Sequence, residues 1–221
     1  MRSASAPSRA KLPSDAVQFP VRLPDWELFF YRPADPQAVL DRITDRQFGR
    51  DEQMPYWAEH WPAADAALAF LHAHPPAPDA RACEIGCGLG VVTSLLAAQC
   101  AHAIGMDISP DGCRYAAANL AAAGAPPLVV CGDWRHPPFA GRFDVVVAVD
   151  VLYEERWVEP VVGFIRDLLA EHGVALVADP CRRPWPLFRE RVSAAGLASA
   201  VAHVQYANEG RTRVEVLRIV A

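Results

Sequence analysis

Residues 84–90 read Glu-Ile-Gly-Cys-Gly-Leu-Gly. Glycines at 86, 88 and 90 let the backbone approach a ligand closely, and a helix that starts directly after such a turn offers N–H groups without internal partners. Further polar and aromatic residues follow at intervals: Asp107, then Asp133-Trp134, then Asp150 and Tyr153. A carboxylate at Asp107 can accept both hydroxyls of a ribose. Asp133 can accept the amino group of a base, and Trp134 can cover its ring by stacking. This is the chemistry of a nucleoside-like ligand. Each residue also has an ordinary alternative. Asp107 can cap the next helix, a task for which Ser109 competes, and Trp134 can be core packing. Asp150 can be an N-cap or a loop acid, and Tyr153 a packing aromatic.

The loop narrows the ligand. The dinucleotide fingerprint G-x-G-x-x-G would place its last glycine where Val91 stands. Glu84, two residues before the first glycine, would repel a pyrophosphate but not a ligand with a cationic sulfonium and an amino group. The Lys and Ser/Thr of a phosphate-binding P-loop are missing. The reading is therefore S-adenosylmethionine, rather than NAD or ATP, held by Glu84, Gly86, Gly88, Gly90, Asp107, Asp133 and Trp134.

The elements that must position these residues can be read from the pattern. The run Ala82 to Ile85 precedes the loop and a helix over Val91 to Gln99 follows it. A run Ala101 to Met106 ends in Asp107, and Ser109-Pro110 opens a helix that closes near Gly124. Leu128 to Cys131 and the β-branched run Phe143 to Val149 are further strands. A helix from Trp157 to Ala170 leads through Gly173 to a strand over Val174 to Ala178. A helix over Pro186 to Ala195 and strands over Ala198 to Val204 and Arg213 to Val220 close the chain. Alternating strands and helices predict an α/β fold: a mostly parallel sheet covered on both faces. Two final strands with no helix between them predict an antiparallel hairpin at the sheet edge.

Pro75-Pro-Ala-Pro78 separates this region from what precedes it. The expected organisation is a disordered tail over residues 1–16, an N-terminal extension over 17–74 and a ligand-binding domain over 79–221. In the extension, strands over Val17 to Leu23 and Trp26 to Tyr31 flank a turn at Pro24-Asp25. A helix over Pro36 to Phe48 has Asp35 as its N-cap, and a second helix runs from Pro62 to His72. Trp57 and Trp61 lie four apart, on one face if helical.

Composition excludes several classes. The 221 residues are 52% hydrophobic and 21% charged, which supports a sizeable core and argues against global disorder. A net charge of −5 lacks the basic excess of a nucleic-acid binder, with Arg182-Arg183 as one small local patch. No apolar run reaches the ~20 residues of a membrane span, and Met1 to Pro13 has no apolar signal region. A cytoplasmic location follows by default. The six cysteines form no C-x-x-C pair and read as buried small hydrophobes. His60, His72 and His74 lack Cys or acid partners at ligand spacing, so no metal is expected. The sequence names no oligomeric state, and a monomer is compatible with it.

Residues 84–90 resemble motif I of the class I, seven-stranded methyltransferases. Together with Pro55-Tyr-Trp-Ala-Glu-His-Trp-Pro62, Asp150-Val-Leu-Tyr153 and Asp179-Pro180, they resemble methyltransferase family 16, and within it the lysine methyltransferases of the electron-transfer flavoprotein beta subunit. His60 departs from that pattern. The resemblance implies a Rossmann-like seven-stranded sheet and places Trp61, Gly86, Cys87, Gly88, Asp107, Trp134 and Val149 around S-adenosylmethionine. Asp150 and Tyr153 would face the methyl acceptor, with Asp150 orienting an incoming ammonium and Tyr153 supplying an aromatic wall. The implied activity is methylation of a lysine side chain in a protein partner. A small amine or metabolite as acceptor, or a non-catalytic binder of S-adenosylmethionine, are the alternatives.

Overall fold

The computed structural model describes residues 12–42 and 54–221. Strands β1 (Ala16–Leu23) and β2 (Trp26–Pro33) form an antiparallel hairpin in register from Ala16 opposite Pro33 to Leu23 opposite Trp26. Helix α1 (Pro36–Asp41) follows, with the Asp35 side chain accepting from the Ala38 N–H and Pro36 in the first turn. The sequence pattern carries this helix to Phe48, but residues 43–53, like 1–11 of the expected tail, lie outside the described residues. After a short 3₁₀ turn at Tyr56–Ala58 comes α2 (Pro62–Ala73).

The main sheet is then built from β3 (Arg81–Ile85), β4 (His102–Asp107), β5 (Val129–Cys131), β6 (Phe143–Val149), β7 (Leu169–Asp179), β8 (Ala198–Ala207) and β9 (Thr212–Val220). The interleaved helices are α3 (Val91–Gln99), α4 (Pro110–Ala122), α5 (Val158–Leu168) and α6 (Trp185–Ala194). The strand order is β5-β4-β3-β6-β7-β9-β8. The first five strands are parallel, and β9 inserts antiparallel between β7 and β8. This is the mostly parallel, seven-stranded sheet with an antiparallel C-terminal edge that the sequence pattern predicts.

The central strands are apolar on both sides because helices cover both faces. Val145, Val147 and Val149 pack with α2 and α3, whereas Val146 and Ala148 pack with α5 and α6. Several boundaries differ from the pattern: β2 runs on to Pro33 and β8 to Ala207, and β7 starts before Val174. The helix expected to run to Ala170 ends at Leu168, and Leu169 already belongs to β7. Leu169 pairs with Phe143, ahead of a register irregularity at Val145, so pairing with β6 takes these residues out of the helix.

The N-terminal hairpin shares the core of the sheet's first face through Val21, Phe30 and Tyr31. A buried side chain fastens it. Asn119 of α4 accepts from the Tyr31 N–H at 2.7 Å and donates to the carbonyls of Tyr31 (2.9 Å) and Leu89 (2.8 Å). One amide thus satisfies backbone groups of both the hairpin and the glycine loop. No helix among the described residues is long and apolar enough to cross a membrane.

Candidate functional site

A cavity of about 670 Å³ opens at the carboxyl ends of β3, β4 and β6. Ligands bind at this end of open α/β sheets, outside the strands where the order reverses. Trp61, Glu84, Gly86, Cys87, Gly88, Asp107, Trp134, Val149, Asp150 and Tyr153 all line it. Pro13, Asp15 and Pro33, beside and within the N-terminal hairpin, line it too.

The glycine loop is held at both ends. The Cys87 N–H donates to the Met106 carbonyl at 3.0 Å, and the Gly90 N–H donates to the Cys87 carbonyl at 2.7 Å. Asp107 stands across from it. Its Oδ2 accepts from the Gly88 N–H and its Oδ1 from the Ser109 N–H, both at 2.8 Å. Burial raises the Asp107 carboxyl above its ordinary range, and these N–H groups, with that of Ile108, pull it back. Ser109 takes the capping role, accepting from the Gly112 N–H. Asp107 is therefore left with unfilled lone pairs toward the cavity.

Glu84 is buried at 3% exposure and accepts from the Thr93 hydroxyl in the first turn of α3. Burial pushes it from 4.5 to about 8, against the lowering effect of Thr93. Between those values the folded chain keeps a proton that the unfolded chain releases, so stability falls as pH rises through this window. Glu84→Gln, neutral throughout, is expected to lack that slope. Its stability relative to the parent should rise between about pH 5 and about pH 8, measured as urea midpoints. Curves that stay parallel would remove Glu84 as the source.

Two selected residues lie elsewhere. Asp133 does not line the cavity; Arg135 bonds its carboxylate with both its backbone N–H and its guanidinium, at 2.8 Å each, and holds it below the usual range against burial. Gly90 is the N-cap of α3 at φ 73°, turned toward Ala116 and Leu120 of α4. Its role is packing behind the loop.

Asp150 follows β6 in the left-handed region at φ 58°. Its side chain is 5% exposed, and its Oδ1 bonds the Arg182 guanidinium. Its Oδ2 is buried and makes no hydrogen bond of good geometry, although the Ala63 N–H at the start of α2 favours its charged form. Burial raises this carboxyl, and Arg182 opposes the rise. Tyr153 stacks edge-on against Tyr56 at 5.1 Å, and Tyr56 meets Trp61 edge-on at 5.9 Å. The Trp61 Nε1–H donates to the Tyr56 carbonyl at 2.8 Å. Trp134 lies edge-on to Trp157, with its Nε1–H buried and unpartnered.

Other expectations change. Trp57 and Trp61 do not share a helix face, because the 3₁₀ turn ends at Ala58 and Trp61 is extended. Trp57 packs on Tyr115 at 5.3 Å, and Trp61 turns to Tyr56. Arg182 and Arg183 form no basic patch: Arg182 faces Asp150 and Asp179, and Arg183 faces Glu155 at 3.3 Å. His60 and His72 do find acids, Asp65 at 2.8 Å and Asp25 at 2.7 Å, each as a single pair. Of the cysteines, Cys131 is exposed and Cys113 and Cys181 only half-buried. Thr93 and Arg182 are the partners that residue-by-residue reading missed. A buried acid such as Glu84 requires a donor, and Thr93 in the next turn was the available signal.

A methyltransferase-domain family model matches residues 82–173. The chain is similar to the electron transfer flavoprotein beta subunit lysine methyltransferase of Danio rerio, 26% identical over 133 residues, 58% of this chain and 51% of that protein. It is similar to the Xenopus laevis protein of that name at 25% over 164 residues, 68% and 65% of the two chains. It thus spans about half of the first relative and just under two thirds of the second. Magnesium protoporphyrin IX methyltransferase from Synechocystis PCC 6803, solved with S-adenosylmethionine bound, shares the fold at a TM-score of 0.59 and 21% identity, covering 84% of this chain and 97% of that one. Residues 82–173 thus match a methyltransferase domain, and the chain shares the seven-stranded fold of the Synechocystis methyltransferase.

Proposed function

We propose that this chain transfers a methyl group from S-adenosylmethionine to an amine, the side chain of a lysine in a partner protein. The observation that carries this reading is Asp150: a buried carboxylate that lines the same cavity as the glycine loop, with one oxygen on Arg182 and the other without a well-formed hydrogen bond, beside the aromatic group of Tyr153, Tyr56 and Trp61. The names of the two lysine methyltransferases that the chain resembles support the choice of lysine.

The cavity residues fit the cofactor. A volume of about 670 Å³ suits a small ligand. Asp107 offers free lone pairs to a ribose, Trp134 an aromatic ring on the cavity, and Glu84 a carboxylate that a nearby cation would favour in its charged form. When bound, S-adenosylmethionine supplies a methyl group activated on a sulfonium.

The chain's own contribution is position and electrostatics. A lysine amine, ordinarily protonated below about pH 10.4, must lose a proton before it can attack. A lone carboxylate would raise that value and hold the ammonium. Asp150 is not alone, because Arg182 compensates its charge. The pocket therefore suits a neutral amine that donates one N–H to Oδ2 and turns its lone pair toward the methyl group, its proton having left to water. Tyr153 and Tyr56 wall the aliphatic stem and exclude water from it.

The test is tritiated S-adenosylmethionine added with the enzyme to a cell lysate. Label in a discrete protein band, recovered as methyl-lysine after hydrolysis, is the expected result. Label confined to the low-mass fraction would transfer the proposal to a small amine. No label, with cofactor binding intact by calorimetry, would overturn transfer.

A further inference from the structure

Strands β6 and β7 end side by side, and each ends in a carboxylate on the same guanidinium. The Asp150 N–H donates to the Ala178 carbonyl at 3.0 Å, which fixes the first turn after β6 against β7. Asp179 is the last residue of β7 and is fully buried. Two residues later the chain turns through Cys181, at the same φ of 58° as Asp150. That turn brings Arg182 back: its N–H donates to Asp179 Oδ1 at 2.8 Å, and its Nη1 reaches Asp179 Oδ2 at 3.3 Å while bonding Asp150 Oδ1. The Arg182 side chain itself is 29% exposed. The groups facing Asp150 are thus Arg182 from beyond β7 and the Ala63 N–H from α2, and those facing Asp179 are Arg182 and Asp150.

We propose that Arg182 is a positioning residue for methyl transfer: anchored on Asp179, it holds Asp150 by one oxygen so that the other is presented to the acceptor amine. This rests on the reading of Asp150 as the acceptor's partner. Simple stabilisation explains the arrangement less well. A buried ion pair is commonly no better for stability than apolar packing. Here two carboxylates converge on one cation, and Asp150, the one of the two that lines the cavity, keeps an oxygen without a well-formed hydrogen bond. A planar guanidinium can bridge two carboxylates in a fixed geometry, which an ammonium cannot. Asp179 does not line the cavity and bears on the acceptor site through Arg182. Its own carboxyl is pushed up to about 6, chiefly by burial, which marks it as a costly anchor.

The experiment combines two readouts on the full chain. Carbon-13 titration of the aspartate carboxyls, with Asp150 assigned from Asp150→Asn, reads the charge. The rate of tritium incorporation into lysate protein reads the geometry. Arg182→Gln is expected to raise the Asp150 titration by about one unit or more and to slow labelling about tenfold or more, with S-adenosylmethionine affinity within about twofold by calorimetry. Arg182→Lys keeps the charge and is the gentler change for folding. It is expected to leave the Asp150 titration within about half a unit yet still slow labelling several-fold, because the bridge is lost. Either an Asp150 titration unmoved by Arg182→Gln or labelling by Arg182→Lys at the parent's rate overturns the proposal. A parent chain that labels nothing counts against the transfer reading instead, and the titration of Asp150 then decides the clamp alone.

Discussion

Asp150→Asn is expected to slow methyl transfer about 10²-fold, the scale of losing one preorganised polar contact in a water-poor site, while S-adenosylmethionine affinity stays within about twofold. The isostere is chosen for the backbone. Asp150 sits at φ 58°, where asparagine is tolerated and alanine is strained. The change is therefore confined to the carboxyl end. An amide has one oxygen. If that oxygen stays on Arg182, an NH₂ group faces the acceptor and repels its N–H. If the amide turns over, Arg182 meets a donor instead. Both arrangements spoil the contact, and neither touches the glycine loop or Asp107. Initial rates of tritium incorporation beside calorimetric affinities separate the two effects. An unchanged rate would remove Asp150 from the acceptor site.

The second large effect is structural. Gly90→Ala is expected to destabilise the chain by about 2–4 kcal/mol, the sum of left-handed strain and overpacking. A Cβ at position 90 would stand 2.9 Å from both Cα and Cβ of Ala116 and 3.0 Å from Leu120, at a φ of 73°. The Ala116 backbone lies inside α4 and cannot yield cheaply. Gly88→Ala makes the contrast. Its Cβ would come no nearer than 3.4 Å to the Trp57 backbone, so strain of about 1–2 kcal/mol remains and the larger change is expected in cofactor affinity. Urea midpoints and calorimetry on both variants test the division. A Gly90→Ala chain that unfolds at the parent's midpoint would refute the packing role.

The same pair of glycines shows how far residue spacing carries. The pattern of 86, 88 and 90 identifies a tight turn before a helix, because backbone conformation is a local property. What crowds each glycine is not local: Gly90 meets a helix that begins twenty residues later, and spacing alone cannot separate it from Gly88. Asp133 fails for the opposite reason. Its competitor, Arg135, is so close in sequence that the two bond each other before either reaches the cavity. Arg182 was visible as a charge, but its partner Asp150 lies 32 residues away at the end of another strand. Only the parallel pairing of β6 and β7 joins them. That the earlier strands run parallel was legible, since alternation forces crossovers, but their order was not. That β9 inserts between β7 and β8 follows from the final hairpin folding back on the sheet. The pattern supplied the hairpin, not its orientation.

Asn119 has a consequence measured in time. It satisfies Tyr31, made 88 residues earlier, and Leu89, made 30 residues earlier. On the ribosome at about 5–20 residues per second, roughly 4–18 s separate the synthesis of Tyr31 from that of its partner. During that interval the N-terminal hairpin is an isolated two-stranded ribbon, a marginal structure in water. The glycine loop waits as well, for a shorter time. The last of the three elements to be made thus holds the other two, and the glycine loop and the hairpin are fastened by the same side chain.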